Sequence, residues 1–402
     1  MALRVESRAA DATMELTRLE LTDFRSYAAA ELRPDRGLTV VAGPNGTGKT
    51  NLLEAVHATI TGRSHRAGID AELVRHGAPF SRVRLELAGG TGSGGSTIEL
   101  VLAGAGAPAE IRKRLTVNGV PRRSTALAEV ARAVLFRPEE MLLLVGSPLD
   151  RRRFLDGIVG QRDRRAARDL VGVARVVTQR NALLRAIRAE EATIDTLAFW
   201  DEQLARLGAR VMRARLAVVA ELVERIEPLH DAVATDGERG ASVHLAYLDG
   251  LKEAWSERAE PMARLPDEDE LVAAYRRRIV DVRPKEAWNG VSLVGPQRDD
   301  LRADLGGRDV ASHASRGQQR TIILALKLAE TDLLGADGPR PIVLLDDVFS
   351  ELDPDRAARL SQLLAGRGQV IVTTADPGTL EGARERSAAI WRIVDGALER
   401  EG

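Results

Sequence analysis

Residues 43–50 read GPNGTGKT and match the pattern G-x-x-x-x-G-K-[ST] of a phosphate-binding loop, or P-loop. Glycines let backbone N–H groups turn inward onto phosphate oxygens, and a following helix points the positive end of its dipole at the same anion. The apolar stretch LTVVAG precedes the loop, and TNLLEAVHATIT follows it with apolar residues at helical spacing. This order predicts a nucleotide-binding α/β domain.

The side chains of the loop have expected roles toward ATP and Mg²⁺. The Lys49 ammonium is expected to reach the β- and γ-phosphates of ATP, and the Thr50 hydroxyl is expected to bind Mg²⁺. We expect the other nucleotide contacts from the remaining residues of the loop, which are Gly43, Pro44, Asn45, Gly46, Thr47 and Gly48. The alternative, a chance glycine-rich turn, explains neither the complete motif nor its flanking elements.

A second motif, IVLLDD at 342–347, is an apolar strand that ends in two carboxylates. A buried strand delivers its last side chains to the edge of the sheet where ligands bind in such folds. Asp346 is therefore expected to hold Mg²⁺ through water, in the Walker B role. Asp347 is expected to act as the catalytic base, although many ATPases of this type use the longer Glu there. The alternative is a solvated acidic strand end.

The sequence SRGQQ at 315–319 opens the apolar helical stretch TIILALKLAE. By itself it fits an ordinary N-capped helix start. Its place before the Walker B strand makes it resemble the signature motif of ABC ATPases. That resemblance implies that Ser315, Gly317 and Gln318 contact ATP bound to a second copy of the chain, and hence an ATP-dependent homodimer. Thr373 and Thr374 stand where transporters usually place a switch His, which leaves the γ-phosphate sensor undefined.

The pattern along the chain predicts an α/β fold: an ABC-type P-loop ATPase lobe with an inserted, mainly helical second lobe. Strand and helix patterns alternate over 14–147, which carries the P-loop, and again over 289–402, which carries the signature and Walker B motifs. Between them, 148–288 is rich in Ala, Leu and Arg at helical period. We expect residues 1–13, which precede Met14, to be a disordered leader.

Composition excludes several classes of site. The chain has 402 residues, no Cys and six scattered His, which rules out disulfides and thiol catalysis and makes a zinc site a poor expectation. No apolar run is long enough for a membrane span. These features favour a cytoplasmic protein without a membrane partner. The formal net charge of −1 means that any nucleic-acid contact needs a local basic face.

One segment supplies such a face. Residues 151–190 contain eleven Arg and four acidic residues, an excess that suits contact with DNA phosphates. Phe154 is the one aromatic residue of the segment, so a series of stacked bases is not predicted. The alternative is a solvated helix face with internal ion pairs, and the first arginines could instead brace the junction of the lobes. The candidate DNA contacts are Arg151, Arg152, Arg162, Arg164, Arg165 and Arg168.

The chain resembles the RecF family of bacterial repair ATPases from Met14 onward. The ATPase motifs alone fit many relatives, but RRRFLD, QRNALL and WDEQLA in the insertion are much more specific. The similar stretches are LELTDFRSY (19–27), GPNGTGKTNLLEAV (43–56), GRSHRA (62–67), FRPEEMLLLVGSPLDRRRFLD (136–156), QRNALLR (179–185), FWDEQLARLGA (199–209), GPQRDDL (295–301), SRGQQRT (315–321) and LLDDVFSELD (344–353). Gln297 departs from the family's usual His, and VLFRPEE lacks the Gln of a Q-loop.

The resemblance implies an ATP-gated DNA clamp and a weak, DNA-dependent ATPase. Members of the family bind gapped or single-strand/double-strand junction DNA as ATP-bound dimers, act with RecO and RecR to load RecA, and reset by slow hydrolysis. Such a protein is expected to be associated with the nucleoid. Two alternatives remain open. One is a transporter ATPase subunit, although 266 residues separate Lys49 from Ser315. The other is an SMC-like chromosome-maintenance ATPase, although the insertion lacks sustained heptads.

Overall fold

The computed structural model describes residues 14–89, 95–106, 112–251, 264–376, 389–394 and 396–401, so the predicted leader at 1–13 lies outside the described residues. The chain divides into two compact units. The first comprises the chain up to Met141 and from Lys327 onward, and the second comprises Leu142–Leu326. Among the described residues, no helix combines the length and the apolarity that a membrane crossing requires.

The amino-terminal part of the first unit is mostly strands. Its elements are β1 (Glu15–Phe24), β2 (Tyr27–Leu32), β3 (Leu38–Ala42), α1 (Lys49–Thr61), β4 (Phe80–Ala88), β5 (Ser96–Ala103), β6 (Lys113–Val117), β7 (Val120–Pro121) and β8 (Ala133–Phe136). Six of these strands form an antiparallel sheet in the order β2-β1-β4-β5-β6-β7. Burial alternates along β4, as expected for a sheet with one face in the core.

The second unit is mostly helical. Its elements are α2 (Pro148–Arg162), α3 (Arg164–Arg188), α4 (Ala198–Val233), β9 (Val243–Leu248), α5 (Glu268–Asn289), β10 (Asp300–Leu305), β11 (Arg308–Asp309) and α6 (Val310–His313). The next helix, α7 (Arg316–Ala336), begins in this unit and ends in the first. Arg180 of α3 is fully buried and forms ion pairs with Asp201 of α4 and Glu286 of α5, which ties the three long helices together.

The second unit extends past the boundary predicted at residue 288. Strand β10 pairs antiparallel with β9, and β11 pairs with β10, so the chain after α5 is bound to the chain before it. This pairing keeps residues 289–326 with the helices. The start of the signature helix therefore belongs to the second unit, whereas the prediction assigned it to the ATPase lobe.

The first unit is completed by a second sheet. Its remaining elements are β12 (Ile342–Asp346), α8 (Pro354–Leu364), β13 (Val370–Thr374), β14 (Ala389–Val394) and β15 (Ala397–Arg400). The sheet has the order β15-β14-β3-β13-β12-β8, and all its pairs are parallel except β14 with β15. Strand β12 is buried throughout, as is usual for a parallel strand covered on both faces. Buried residues of α1, including Leu52 and Leu53, share one core with both sheets.

Candidate nucleotide-binding site

The P-loop connects β3 to α1 at one edge of the parallel sheet. Gly48 stands directly before α1 with φ of 109°, a left-handed conformation that glycine adopts without strain. A Cβ at this position would lie 2.8 Å from Ser26 Oγ and 2.9 Å from the Tyr27 hydroxyl. Both the backbone and the space therefore require glycine here. Because the first N–H groups of a helix have no acceptor within it, the start of α1 suits an anion.

The Lys49 side chain is held inside the loop. Its ammonium donates hydrogen bonds to the carbonyl oxygens of Gly43, at 2.6 Å, and Pro44, at 2.9 Å. Burial lowers the pKa of Lys49, while the carboxylates of Asp347 and Asp346 act in the opposite direction. The ammonium thus lies within the loop that is expected to bind phosphates. Phosphate oxygens would take the place of these two backbone carbonyls as its acceptors.

Asp346 ends β12 beside the start of α1. Its Oδ1 accepts hydrogen bonds from the Thr50 hydroxyl at 3.1 Å and from the Thr373 hydroxyl at 2.8 Å. Burial raises the pKa of Asp346, and the two hydroxyls partly offset that rise. A hydroxyl and a carboxylate are hard oxygen donors of the kind Mg²⁺ prefers. Among the described residues no three acidic or histidine side chains form a metal cluster, so a Mg²⁺ here would need nucleotide and water oxygens as well.

Asp347 has an unusual backbone. Its φ is 51°, a left-handed conformation that costs a residue other than glycine roughly 1 kcal/mol or more. Its N–H donates to the backbone oxygen and to the hydroxyl of Thr373, both at 3.1 Å. Its Oδ1 is buried, and no donor from the described residues reaches it. The backbone of Asp347 is thus strained, and its carboxylate has an unsatisfied oxygen next to Asp346, the candidate Mg²⁺ ligand. Such a carboxylate is suited to positioning a water molecule.

Glu139 is a charged neighbour that the sequence analysis did not assign. It follows β8, which pairs in parallel with β12, so both strands end at the same edge. Its carboxylate contributes to the raised pKa of Asp346, and its side chain is exposed. The signal in the sequence is the acidic pair that ends VLFRPEE, a stretch without the Gln of a Q-loop.

A polar cluster supports the first turns of α1. Glu54 is fully buried and accepts hydrogen bonds from Arg25, Ser64 and Arg66. Burial alone would raise the pKa of Glu54, but these donors outweigh it and hold the pKa below its ordinary value. Arg25 also adopts a positive φ, of 52°. The Arg66 guanidinium thus serves a structural ion pair that orders the segment after α1.

The signature motif lies at the start of α7. The Ser315 hydroxyl accepts a hydrogen bond from the Gln318 N–H at 3.2 Å, and the Gln318 side chain accepts one from the Ser315 N–H at 2.9 Å. This reciprocal pair is a capping box. Ser315 is exposed, and Gly317 is half-buried. The helix start therefore presents a serine hydroxyl and the positive end of a dipole to its surroundings.

Comparisons with known proteins identify the family. The family model described as "RecF/RecN/SMC N terminal domain" matches residues 15–395. A "DNA replication and repair protein RecF" from Frankia alni is 39% identical over 94% of this chain and 98% of its own length. Another RecF protein, from Streptomyces avermitilis, is 37% identical over 96% of this chain and all of its own length. The chain belongs to the RecF family.

Solved structures agree with this RecF assignment. The "recombination mediator protein RecF-ATPrS in RecFOR pathway" has a TM-score of 0.85 and 26% identity, and the match covers 98% of this chain and 100% of that one. An SMC head bound to the C-winged helix domain of ScpA covers 96% of this chain and 97% of its own, with a TM-score of 0.52 and 16% identity, a likeness of fold alone. The predicted α/β fold of the ABC-type ATPase class is confirmed. The RecF relatives decide against the transporter alternative.

The arginines predicted to contact DNA divide into two groups. Arg151 was a wrong choice: it is buried and holds Asp300 with two hydrogen bonds, of 2.7 and 2.8 Å, and its third nitrogen donates to the Gly146 carbonyl. Arg152 donates to the Asp299 carbonyl at 2.8 Å. Arg162 forms an ion pair with Glu221, and Arg164 is half-buried. Only Arg165 and Arg168 of the six are exposed on α3.

The RecF-like stretch GPQRDDL anchors the second unit. Asp299 is buried, accepts a hydrogen bond from the Tyr247 hydroxyl at 2.5 Å, and lies 3.7 Å from the Arg215 guanidinium. Burial raises the pKa of Asp299 to about 6 although Arg215 opposes the rise. Gln297 donates to the Val294 carbonyl at 2.9 Å. The carboxylates of Asp299 and Asp300 thus form ion pairs with Arg215 and Arg151 within the second unit.

Proposed function

We propose that the protein is an ATP-dependent DNA-binding clamp of recombinational repair and replication restart. In this proposal two copies close around two ATP molecules and bind gapped or junction DNA, and slow hydrolysis opens them again. The observation that carries the proposal is the exposed signature serine. Ser315 accepts a hydrogen bond from its own helix and keeps its hydroxyl proton for an acceptor outside it. A γ-phosphate oxygen held by a second copy suits that proton.

The residues of the first unit fit the ATP side of this proposal. Lys49 would neutralise the β- and γ-phosphates, and the N-terminal N–H groups of α1 would bind their oxygens. Thr50 and Asp346 would hold Mg²⁺, which when bound neutralises phosphate charge. Asp347 would accept a hydrogen bond from the attacking water and then its proton. Because Asp is one methylene shorter than Glu, we expect weak ATPase activity. We also expect DNA to raise this activity.

The partners follow from the family and from the exposed arginines. Relatives of this chain are DNA replication and repair proteins, and solved neighbours belong to the RecFOR pathway. We therefore infer that the dimer cooperates with RecO and RecR to load RecA. Arg165 and Arg168 are placed on an exposed helix face, where phosphates could reach them. Such contacts would hold DNA without reading its sequence.

The experiment measures mass and DNA affinity together. Light scattering with and without ATP reports dimerisation, and anisotropy titrations of gapped, duplex and single-stranded DNA at moderate salt report binding. We expect ATP to produce a dimer and to strengthen binding of gapped DNA. Ser315→Arg should abolish both effects, whereas Ser312→Arg, at an exposed serine outside the signature motif, should preserve them. If ATP changes neither mass nor affinity, or if Ser315→Arg behaves as the wild type does, the clamp proposal is wrong.

A further inference from the structure

A tryptophan side chain projects into solvent at the carboxyl end of α5. Trp288 is 81% exposed, and on the same face of the helix Val280 is 59% exposed, with the exposed Pro284 between them. An indole in water forgoes the stabilisation that burial gives, and the three residues together form a contiguous apolar stripe of the kind that marks interaction sites. Among the arginines of 151–190 the one aromatic residue is Phe154, and it is buried, so that segment offers no stacking surface.

The backbone beneath Trp288 is held firmly. Glu286, two residues earlier, is fully buried and accepts hydrogen bonds from Arg180 at 2.5 Å and from the Leu293 N–H at 2.7 Å. Gly290 ends the helix with φ of 69°, and its N–H donates to the Glu286 carbonyl at 2.8 Å. A ring on so rigid a support loses little conformational freedom when a flat ligand stacks on it.

Basic side chains lie at the same end of α5 as the indole. An atom at the Cβ position of Gly290 would lie 3.3 Å from Arg185 Cγ and 3.4 Å from the Arg188 guanidinium, so both arginines of α3 lie against the end of α5. Arg188 also donates to the Asn289 carbonyl at 3.3 Å. Lys285 is exposed one helical turn before Trp288. These neighbours can contact phosphates, and arginine planes can also stack on bases.

Helix α3, which ends beside α5, carries several exposed arginines. Arg165, Arg168 and Arg175 are exposed along α3, and no acidic side chain in the described part of the chain lies within ion-pair distance of them. Helix α3 runs beside α5 with the carboxyl ends together, because Arg188 meets Asn289 there. A strand whose phosphates follow α3 toward its carboxyl end would therefore run toward the end of α5 that carries Trp288.

We propose that Trp288 is a stacking platform for the bases of single-stranded DNA. The inference rests on the proposed clamp function and adds base contacts to it. Bases in a duplex are stacked on one another and hidden from the indole, whereas unpaired bases offer their faces irrespective of sequence. The platform therefore favours the single-stranded part of a gap or junction. Glu190 and Glu191 in the turn after α3 offset part of the local positive charge, so the affinity depends on stacking as well as on phosphate contacts.

The test compares Trp288→Ala, Trp288→Phe and Val171→Ala by anisotropy with labelled oligothymidine, gapped duplex and blunt duplex. Val171 is a matched control because it is apolar, 63% exposed and on α3. We expect Trp288→Ala to weaken binding of oligothymidine by roughly 5- to 100-fold, and that of gapped DNA in the same direction, with blunt duplex unchanged. Trp288→Phe should keep most of the affinity, and Val171→Ala all of it. Unchanged melting temperatures check the fold.

Other outcomes separate the two proposals. If the wild type binds no form of DNA with or without ATP, the clamp and the platform are both wrong. If the wild type binds gapped DNA and Trp288→Ala binds oligothymidine equally well, only the platform is wrong. Equal losses for duplex and single strands would also overturn it. If Trp288→Ala binds single strands normally but no longer dimerises with ATP, the platform is also wrong, because the exposed apolar stripe would then contact a second copy.

Discussion

The Thr50 hydroxyl, at the start of α1, lies 3.1 Å from the carboxylate of Asp346, which is 296 positions later in the chain. The two meet because β13 pairs with β3 on one side and with β12 on the other, so the P-loop and the end of β12 share one edge of the sheet. Thr373 of β13 donates to the same Asp346 oxygen at 2.8 Å. Two hydroxyls thus serve one buried carboxylate at the proposed Mg²⁺ site.

Asp346→Asn should weaken the binding of ATP in the presence of Mg²⁺. The amide is nearly the same size but carries no charge for the cation, so we expect the affinity to fall by about tenfold or more, or roughly 1.4 kcal/mol. Titrations with a fluorescent ATP analogue in Mg²⁺ and in EDTA measure the effect. Thr373→Val is the control, because it removes a hydrogen bond to the same oxygen and keeps the charge. If Asp346→Asn binds ATP in Mg²⁺ as tightly as Thr373→Val does, the assignment of Asp346 to the Mg²⁺ site fails.

Asp347→Asn should separate binding from hydrolysis. Asparagine tolerates the left-handed backbone at this position, so the substitution removes the base without new strain. We expect turnover to fall by roughly 100-fold or more and ATP affinity to stay within about threefold. A coupled phosphate-release assay and the same nucleotide titration give the two quantities.

A control for Asp347→Asn is the neighbouring Glu139→Gln, which removes a carboxylate near Asp346 and leaves the base in place. If Asp347→Asn hydrolyses ATP at the wild-type rate, Asp347 is not the base. A matching loss in both variants would point to the overall charge of the site rather than to one proton acceptor.

The fold around the nucleotide was predictable because its signals are contiguous. The P-loop lies between a strand and a helix, and Asp346 ends an unbroken apolar strand, so parallel pairing alone brings them to one edge. The roles of the arginines in the RRRFLD run were harder to predict. Arg151 shares its buried helix face with Phe154, Leu155 and Ile158, a helical period that could have removed it from the DNA candidates.

Contacts between distant segments could not be predicted from local patterns. The carboxyl end of α5, at Gly290, lies beside Arg185 and Arg188 because Arg180 draws α5 against α3 through a buried ion pair. Nothing in either segment alone indicates that partnership. Likewise, because β9 pairs with β10 across α5, the second unit extends beyond residue 288, where composition had placed its end.

The stability of the second unit should depend on the protonation of Asp299. Burial raises its pKa from an ordinary 3.8 to about 6, so the folded state binds this proton more tightly than the unfolded state does. This contribution to stability is present at low pH and is lost as pH rises toward the folded pKa. Asp299→Asn cannot ionise, so its stability relative to the wild type should improve by about 1 kcal/mol between pH 5 and pH 7.5.

Chemical unfolding of both proteins at the two pH values measures this change. Asp300→Asn serves as the comparison, since it alters the adjacent, half-buried carboxylate that pairs with Arg151. A difference between Asp299→Asn and the wild type that stays constant with pH would contradict the raised pKa. A difference that grows with pH in favour of the wild type would show that the carboxylate is stabilised, not strained, in its charged form.

Paired arginine substitutions should distinguish phosphate contact from structural support. Arg165 and Arg168 are exposed on α3, so replacing both by Ala should weaken duplex binding for all sequences and reduce the slope of log affinity against log salt by about 2. Stability should stay within about 0.5 kcal/mol of the wild type. Arg151→Ala should do the reverse, because it leaves the Asp300 carboxylate and the Gly146 carbonyl without their donor.

We expect Arg151→Ala to lose about 2 to 4 kcal/mol of stability with the salt slope unchanged. Salt titrations of duplex affinity and urea unfolding of the same preparations compare the two variants directly. A lower slope with intact stability in Arg151→Ala would mean that this guanidinium leaves its carboxylate to meet phosphate. If the double variant kept the full slope, the DNA would have to follow a surface other than the exposed face of α3.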